Sequence, residues 1–145
     1  MASTRLTEIG TEISPVTRQV TQEKINLFED CGILHHANIH TNPEVAKRRL
    51  GTSYPIASGR MSITYASEAL RKFFGPEAFN HTGVLNLKFL RPVKHGDAIT
   101  VKGLVSNTQE QDGGTRVFVD LWCENQSGDK TAVGTASALV PRGVD

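Results

Sequence analysis

Three histidines, His35, His36 and His40, fall within the short stretch HHANIH of a 145-residue chain. Histidine is the side chain whose ordinary titration lies nearest neutral pH, so this stretch can supply acid/base chemistry. His40 by itself is either a surface or capping residue, as a lone loop histidine usually is, or an acid/base. His35 either merely lines a pocket or pairs with His40, because two close imidazoles resist double protonation and can hold one proton between them. One neutral and one protonated imidazole would serve as base and acid. A metal site built from His35, His36 and His40 is the weaker reading, since adjacent histidines rarely converge on one ion and no cysteine cluster completes it. His36 is expected to face solvent.

A second cluster, Ser58-Gly59-Arg60, stands at the start of the most helix-like apolar run. A glycine there lets a ligand approach the backbone N–H, and the positive end of the helix dipole favours an oxygen gaining negative charge. The plainer reading is that Gly59 only permits a tight turn. Ser58 can donate a hydrogen bond to the same ligand. Arg60 is unusual, because a cation opposes the dipole at that end; it either extends to solvent along its aliphatic stem or meets an anionic group of a substrate. Lys47, Arg48 and Arg49 make a small basic run, which is either a solvated face or a contact for phosphates.

The elements that must position these residues follow from periodicity and punctuation. Residues 13–20 have strand propensity, with Pro15 marking an edge or first strand. Thr21 caps a helix in which Ile25, Phe28 and Cys31 share a face, and Gly32 ends or weakens it. Asn42-Pro43-Glu44 opens a second, short helix through Lys47. From Gly59 to Phe74 the period is helical, with a buried stripe of Ser62, Tyr65, Ala66, Ala69, Leu70 and Phe73, and Gly75-Pro76 stops it. The small residues Ser62, Ala66 and Ala69 point to close approach to a sheet. Strands are expected over 84–90, 99–108, 115–124 and 131–140, without another helix. Val117, Val119, Leu121 and Cys123 should share one face. The sum is an α+β arrangement in which a curved antiparallel sheet buries one long helix.

Composition narrows the partners. A net charge of +1 with both signs interspersed gives no electrostatic case for nucleic acid. No stretch reaches the ~18 apolar residues a membrane span needs, and MASTRLTEIG does not read as a signal peptide. Two cysteines, Cys31 and Cys123, are too few for a disulfide framework, so a reduced, cytoplasmic setting is expected with both thiols packed as small apolar groups.

The order of these elements and their wording resemble the MaoC-like dehydratases of the hotdog fold, the (R)-specific enoyl-CoA hydratases and their relatives. The likeness spans nearly the whole chain, read as a single domain over 1–145. Asn38-Ile39-His40-Thr41-Asn42-Pro43-Glu44 resembles the family's active-site motif, and Pro55-Ile56-Ala57-Ser58-Gly59 resembles its helix start. Phe89-Leu90-Arg91-Pro92-Val93-Lys94-His95-Gly96-Asp97 matches its F-x-x-P-V-x-x-G-D strand-turn. Arg91 and Asp97 are read as structural. The departures fall at the chemistry: the family aspartate before His40 is His35, its asparagine and proline are Ala37 and Asn38, and its helix-start histidine is Ser58.

The resemblance implies a hydratase or dehydratase acting on an acyl thioester of coenzyme A or a carrier protein. On it His40 would be catalytic and Gly59 at the substrate, with no metal or cofactor; the spacing of His35 from His40 adds His35 as catalytic, and their place at the helix start adds Ser58 and Arg60 at the substrate. Gly59 N–H would serve as oxyanion donor. It also implies a homodimer or higher homo-oligomer. Other outcomes on the same scaffold are an isomerase, cyclase or dehydratase of specialised metabolism, a thioesterase using Glu44, and a non-catalytic subunit of a heteromeric hydratase.

Overall fold

The computed structural model of the chain describes residues 6–32 and 37–143, so His35 and His36 lie outside the described residues. The expected first strand is trimmed to β1 (Val16–Gln19), because Pro15 has no N–H to give a ladder. Its flanks still follow the neighbouring strand: Ile13 N–H donates to Gly103 C=O at 3.0 Å, and Val20 N–H to Asp97 C=O at 2.8 Å. Thr21 caps α1 (Gln22–Asp30), its side chain accepting from Lys24 N–H. Asn42 caps α2 (Pro43–Leu50), which runs past the expected end at Lys47. The stop is Gly51, whose φ of 72° lies in the left-handed region that glycine enters without strain. Lys47, Arg48 and Arg49 occupy the last turn, where they complement the helix dipole.

The long helix, α3 (Gly59–Phe74), has the expected bounds, with Ser58 as its cap. The chain just beyond it differs from expectation. Gly75-Pro76 stops α3 but also starts α4 (Pro76–Thr82), because proline lacks an N–H that the first helical position cannot use anyway. Then come β2 (Val84–Phe89), β3 (Ala98–Gln111), β4 (Gly114–Glu124) and β5 (Lys130–Pro141). The five strands form one sheet in the order β1-β3-β4-β5-β2, every pair antiparallel.

The helix α3 packs on β1, β2, β3 and β5. Its buried face is Met61, Ser62, Ala66, Ala69, Leu70 and Phe74. Tyr65 and Phe73, expected within that stripe, are only partly buried against the core. Phe73 instead packs edge-on against Phe74, with ring centroids 4.9 Å apart. On the sheet, Val117, Val119, Leu121 and Cys123 are all buried on one face, as their alternation requires. Burial pushes the Cys123 thiol up to about 11, which leaves it a small apolar filler. Cys31 departs from expectation: it lies beyond the end of α1 and is exposed.

Candidate functional site

His40 sits on a turn that several distant segments hold in place. Asn38 Oδ1 accepts from His40 N–H at 2.8 Å and from Thr41 N–H at 3.2 Å, an Asx turn that shapes the backbone locally. From α1, Gln22 Nε2 donates to His40 C=O at 2.9 Å. The imidazole is anchored as well, with Nδ1 2.7 Å from Ile56 C=O. A carbonyl oxygen can only accept, so Nδ1 carries a hydrogen, and in the neutral ring Nε2 is the unprotonated nitrogen.

Ile56 is itself pinned on two sides. Its N–H donates to Ile39 C=O at 3.1 Å. It also forms an antiparallel bridge to Lys94, and Ala57 N–H donates to Val93 C=O at 2.6 Å. The Val93–Asp97 turn is fastened by Asp97, which is buried. Its carboxylate accepts from Lys94 N–H at 3.0 Å and from Gln126 Nε2 at 2.9 Å. Burial by itself would raise the Asp97 pKa, but these hydrogen bonds and the Lys94 ammonium outweigh it and hold the carboxyl below its ordinary range. The strand-turn motif therefore reaches His40 through three links, from Asp97 to the turn, to Ile56, to the imidazole.

At the start of α3, Ser58 is buried and its Oγ accepts from Arg60 N–H at 3.3 Å. Because that oxygen is the acceptor, the hydroxyl hydrogen is left to donate elsewhere. Gly59 N–H belongs to the first helical residue, which has no intrahelical acceptor, and it has no partner among the described residues. His40, Ser58 and Gly59 line one pocket of about 320 Å³ together with Ile56, Ser62, Phe89, Arg91 and Thr131. The ring of Phe89 lies on Gly59, so close that a Cβ there would fall 2.7 Å from Cζ.

The structure thus brings together His40, Ser58 and Gly59, while His35 lies outside the described residues. Arg60 is exposed and does not line the pocket. Glu44 is also exposed, on α2, and does not line it either. Among the described residues no three His, Cys, Asp or Glu side chains converge as metal ligands. The sequence reading missed the pocket roles of Phe89, Arg91 and Thr131 and the anchors Gln22 and Asn38. Phe89 and Arg91 were within reach, since both belong to the F-x-x-P-V-x-x-G-D strand-turn. Thr131 carries no local signal.

The fold and the site define a class. The chain belongs to the MaoC like domain family, whose model matches residues 5–122. Several solved structures share its fold. One is an (R)-hydratase from Pseudomonas aeruginosa in its unliganded form, 24% identical, with a TM-score of 0.76 over 92% of this chain and 82% of that one. Another is the (R)-hydratase from A. caviae involved in PHA biosynthesis, 19% identical, with a TM-score of 0.73 over 92% and 97%. A third is the C-terminally truncated HadBC (3R-hydroxyacyl-ACP dehydratase) complex from Mycobacterium tuberculosis, 19% identical, with a TM-score of 0.68 over 90% and 96%. The shared fold is the hotdog, an antiparallel sheet around a central helix. No curated protein matches the sequence. Among the described residues no helix is long and apolar enough to cross a membrane.

Proposed function

We propose that this chain is a hydratase or dehydratase of acyl thioesters carried on coenzyme A or a carrier protein. One observation carries the reading: an imidazole with Nδ1 committed to Ile56 C=O shares a pocket with the N–H at the start of α3, which has no partner among the described residues. In hydration, water adds across an enoyl double bond, hydroxyl to Cβ and hydrogen to Cα. The net reaction moves one proton from water to Cα, so the single Nε2 of His40 can take that proton and return it. Gly59 N–H and the α3 dipole hold the thioester oxygen as it gains enolate charge, and the Ser58 hydroxyl donates beside it. His35 is the second acid/base in a paired variant of this scheme. Arg60, outside the pocket, is left to meet an anionic group at the substrate's far end.

The assembly that suits this reading is a homodimer joined through β2. This strand ends the sheet, and Val84, Phe89 and Leu90 are 50%, 49% and 46% exposed at it. An uncovered apolar edge of this kind is a template for pairing, and a second copy would cover it symmetrically. The free thiols of Cys31 and Cys123 suit a cytoplasmic setting.

The direct test is loss of enoyl absorbance on incubation with crotonyl-CoA and longer enoyl thioesters. Steady hydration is expected. Release of free thiol without hydration would replace this reading with a thioesterase, and inactivity toward every enoyl thioester tried would refute it. If His35→Ala leaves turnover and its pH profile intact, the paired scheme is excluded and the single-imidazole scheme stands.

A further inference from the structure

One buried ionisable side chain takes no part in that scheme. Glu29, near the C-terminal end of α1, is 9% exposed. Its Oε2 accepts from Asn38 Nδ2 at 3.2 Å. The other oxygen, Oε1, is buried without a partner among the described residues. Asn38 in turn holds the backbone N–H groups of His40 and Thr41 through Oδ1. Since Oδ1 serves those two donors, Nδ2 must face Glu29, and the orientation of the amide is determined by its network.

We propose that Glu29 is a positioning residue of the His40 site, acting through Asn38. The proposal rests on the hydratase reading and deepens it. Gln22 and Glu29 lie seven residues apart on α1, close to two full turns, so they stand on one face of the helix. Gln22 grips His40 C=O, while Glu29 grips the side chain that caps His40 N–H. The helix therefore holds the peptide groups on both sides of the His40 Cα, and Ile56 holds the ring. An oxygen acceptor on Nδ2 also polarises the Asn38 amide and strengthens Oδ1 as an acceptor.

The half-satisfied carboxylate points the same way. With Oε1 unpaired among the described residues, an apolar side chain of similar size would relieve one desolvation cost while leaving Asn38 Nδ2 without its acceptor, so the two stability terms oppose each other. A residue kept only for packing would not be an acid here. Stability should therefore change little on its removal while catalysis falls, which separates positioning from support.

The experiment compares wild type, Glu29→Leu and Glu29→Gln. For each it measures enoyl-CoA hydration, thermal unfolding and the ¹H–¹⁵N signals of the His40 ring. In Glu29→Leu we expect kcat to fall at least tenfold with KM within threefold, Tm within a few degrees of wild type, and a shifted or broadened Nδ1–H signal. Glu29→Gln keeps an acceptor for Asn38 Nδ2 and should retain wild-type kcat within threefold and an unshifted ring signal. If Glu29→Leu does not fold, Glu29→Ala removes the same acceptor and takes its place. Unchanged kcat and ring signal in the acceptor-less variant overturn the proposal. So does a loss in Glu29→Gln as deep as in Glu29→Leu, or a fall in kcat that tracks a fall in Tm with the ring signal unmoved. Should wild type prove inactive on enoyl thioesters, the hydratase reading fails by itself, and the ring signals still decide whether Glu29 positions His40.

Discussion

Replacing Gly59 by alanine adds one methyl at the point where the Phe89 ring, the α3 terminus and the pocket meet. That Cβ would stand 2.7, 2.8 and 3.1 Å from Cζ, Cε2 and Cε1 of Phe89. Carbon atoms settle at about 3.5–4.0 Å, so the ring must retreat by roughly 1 Å. Three ring carbons are involved, and a tilt that frees one edge would press the other. In the single chain Phe89 is 49% exposed at the end of β2, so in the monomer the ring has room to move outward, room that a second copy over β2 would take away. This places the cost near the low end of the ~1–3 kcal/mol typical of overpacking. Alanine recovers part of it through helix propensity, by less than the ~1 kcal/mol seen in helix interiors. The net loss should be about 1 kcal/mol, or about 3 °C in Tm for a chain of this size. The effect on activity should be larger, because the displaced ring and the new methyl both lie beside Gly59 N–H. A fall in kcat/KM of at least about tenfold, worth about 1.4 kcal/mol of transition-state stabilisation, is expected. Calorimetry and initial rates on Gly59→Ala, in wild-type and Phe89→Ala backgrounds, check both parts. The stability cost should vanish when the ring is gone. An equal cost in both backgrounds, or a Tm raised by alanine with the ring present, would refute the steric argument.

Three further outcomes can be measured. His40→Ala should lower kcat by about 10²–10⁴, the usual contribution of a positioned acid/base, while costing only about 1 kcal/mol of stability for the lost bond to Ile56 C=O; a kcat within threefold of wild type would remove His40 from the mechanism. Asp97→Asn should destabilise the fold at neutral pH by about 1.5–3 kcal/mol, because a charged acceptor of several donors is lost. Since folding lowers the Asp97 pKa, its contribution is fully present above the ordinary value of 3.8 and disappears as the pH falls through the folded value, so the gap between wild type and variant should close in acid. A gap that stays constant down to the acid transition contradicts the assigned shift. If two copies join through β2 as proposed, wild type should have a dimer's mass in light scattering and Val84→Arg, at the outer end of the exposed β2 edge, a monomer's, with the far-UV spectrum unchanged; a mass unaffected by the charge means β2 is not the interface.

Much of the fold was legible because its signals are local. Thr21 and Asn42 marked two helix starts, since a capping side chain bonds to N–H groups only two or three residues on. The third start was legible from Gly59 and the change of period, and the structure adds Ser58 as its cap. The alternation from Val117 to Cys123 marked its face because a strand turns successive side chains to opposite sides. The misses were local conflicts of the same kind. Gly75-Pro76 satisfies both the rule for ending a helix and the rule for beginning one, and only the packing of α4 against α3 and β5 chose the second. Tyr65 and Phe73 fit the stripe on α3, but their exposure depends on how the sheet curves beneath the helix.

For the site, the sequence by itself determined which residue types were present and where the turns would fall: a histidine ahead of the Asn42 cap, a glycine at the start of α3, and a strand-turn ending in Asp97. Only the tertiary structure decided what these residues touch. Ile56 C=O takes the Nδ1 hydrogen of His40 from sixteen residues away, and Val93 and Lys94 hold Ile56 and Ala57 from nearly forty. Glu29 meets Asn38 across the end of α1. None of these pairs has a periodic relation that a pattern can show. Each exists because burying the face of α3 against the sheet draws separate loops to one end of the helix, where their unpaired backbone groups must find partners.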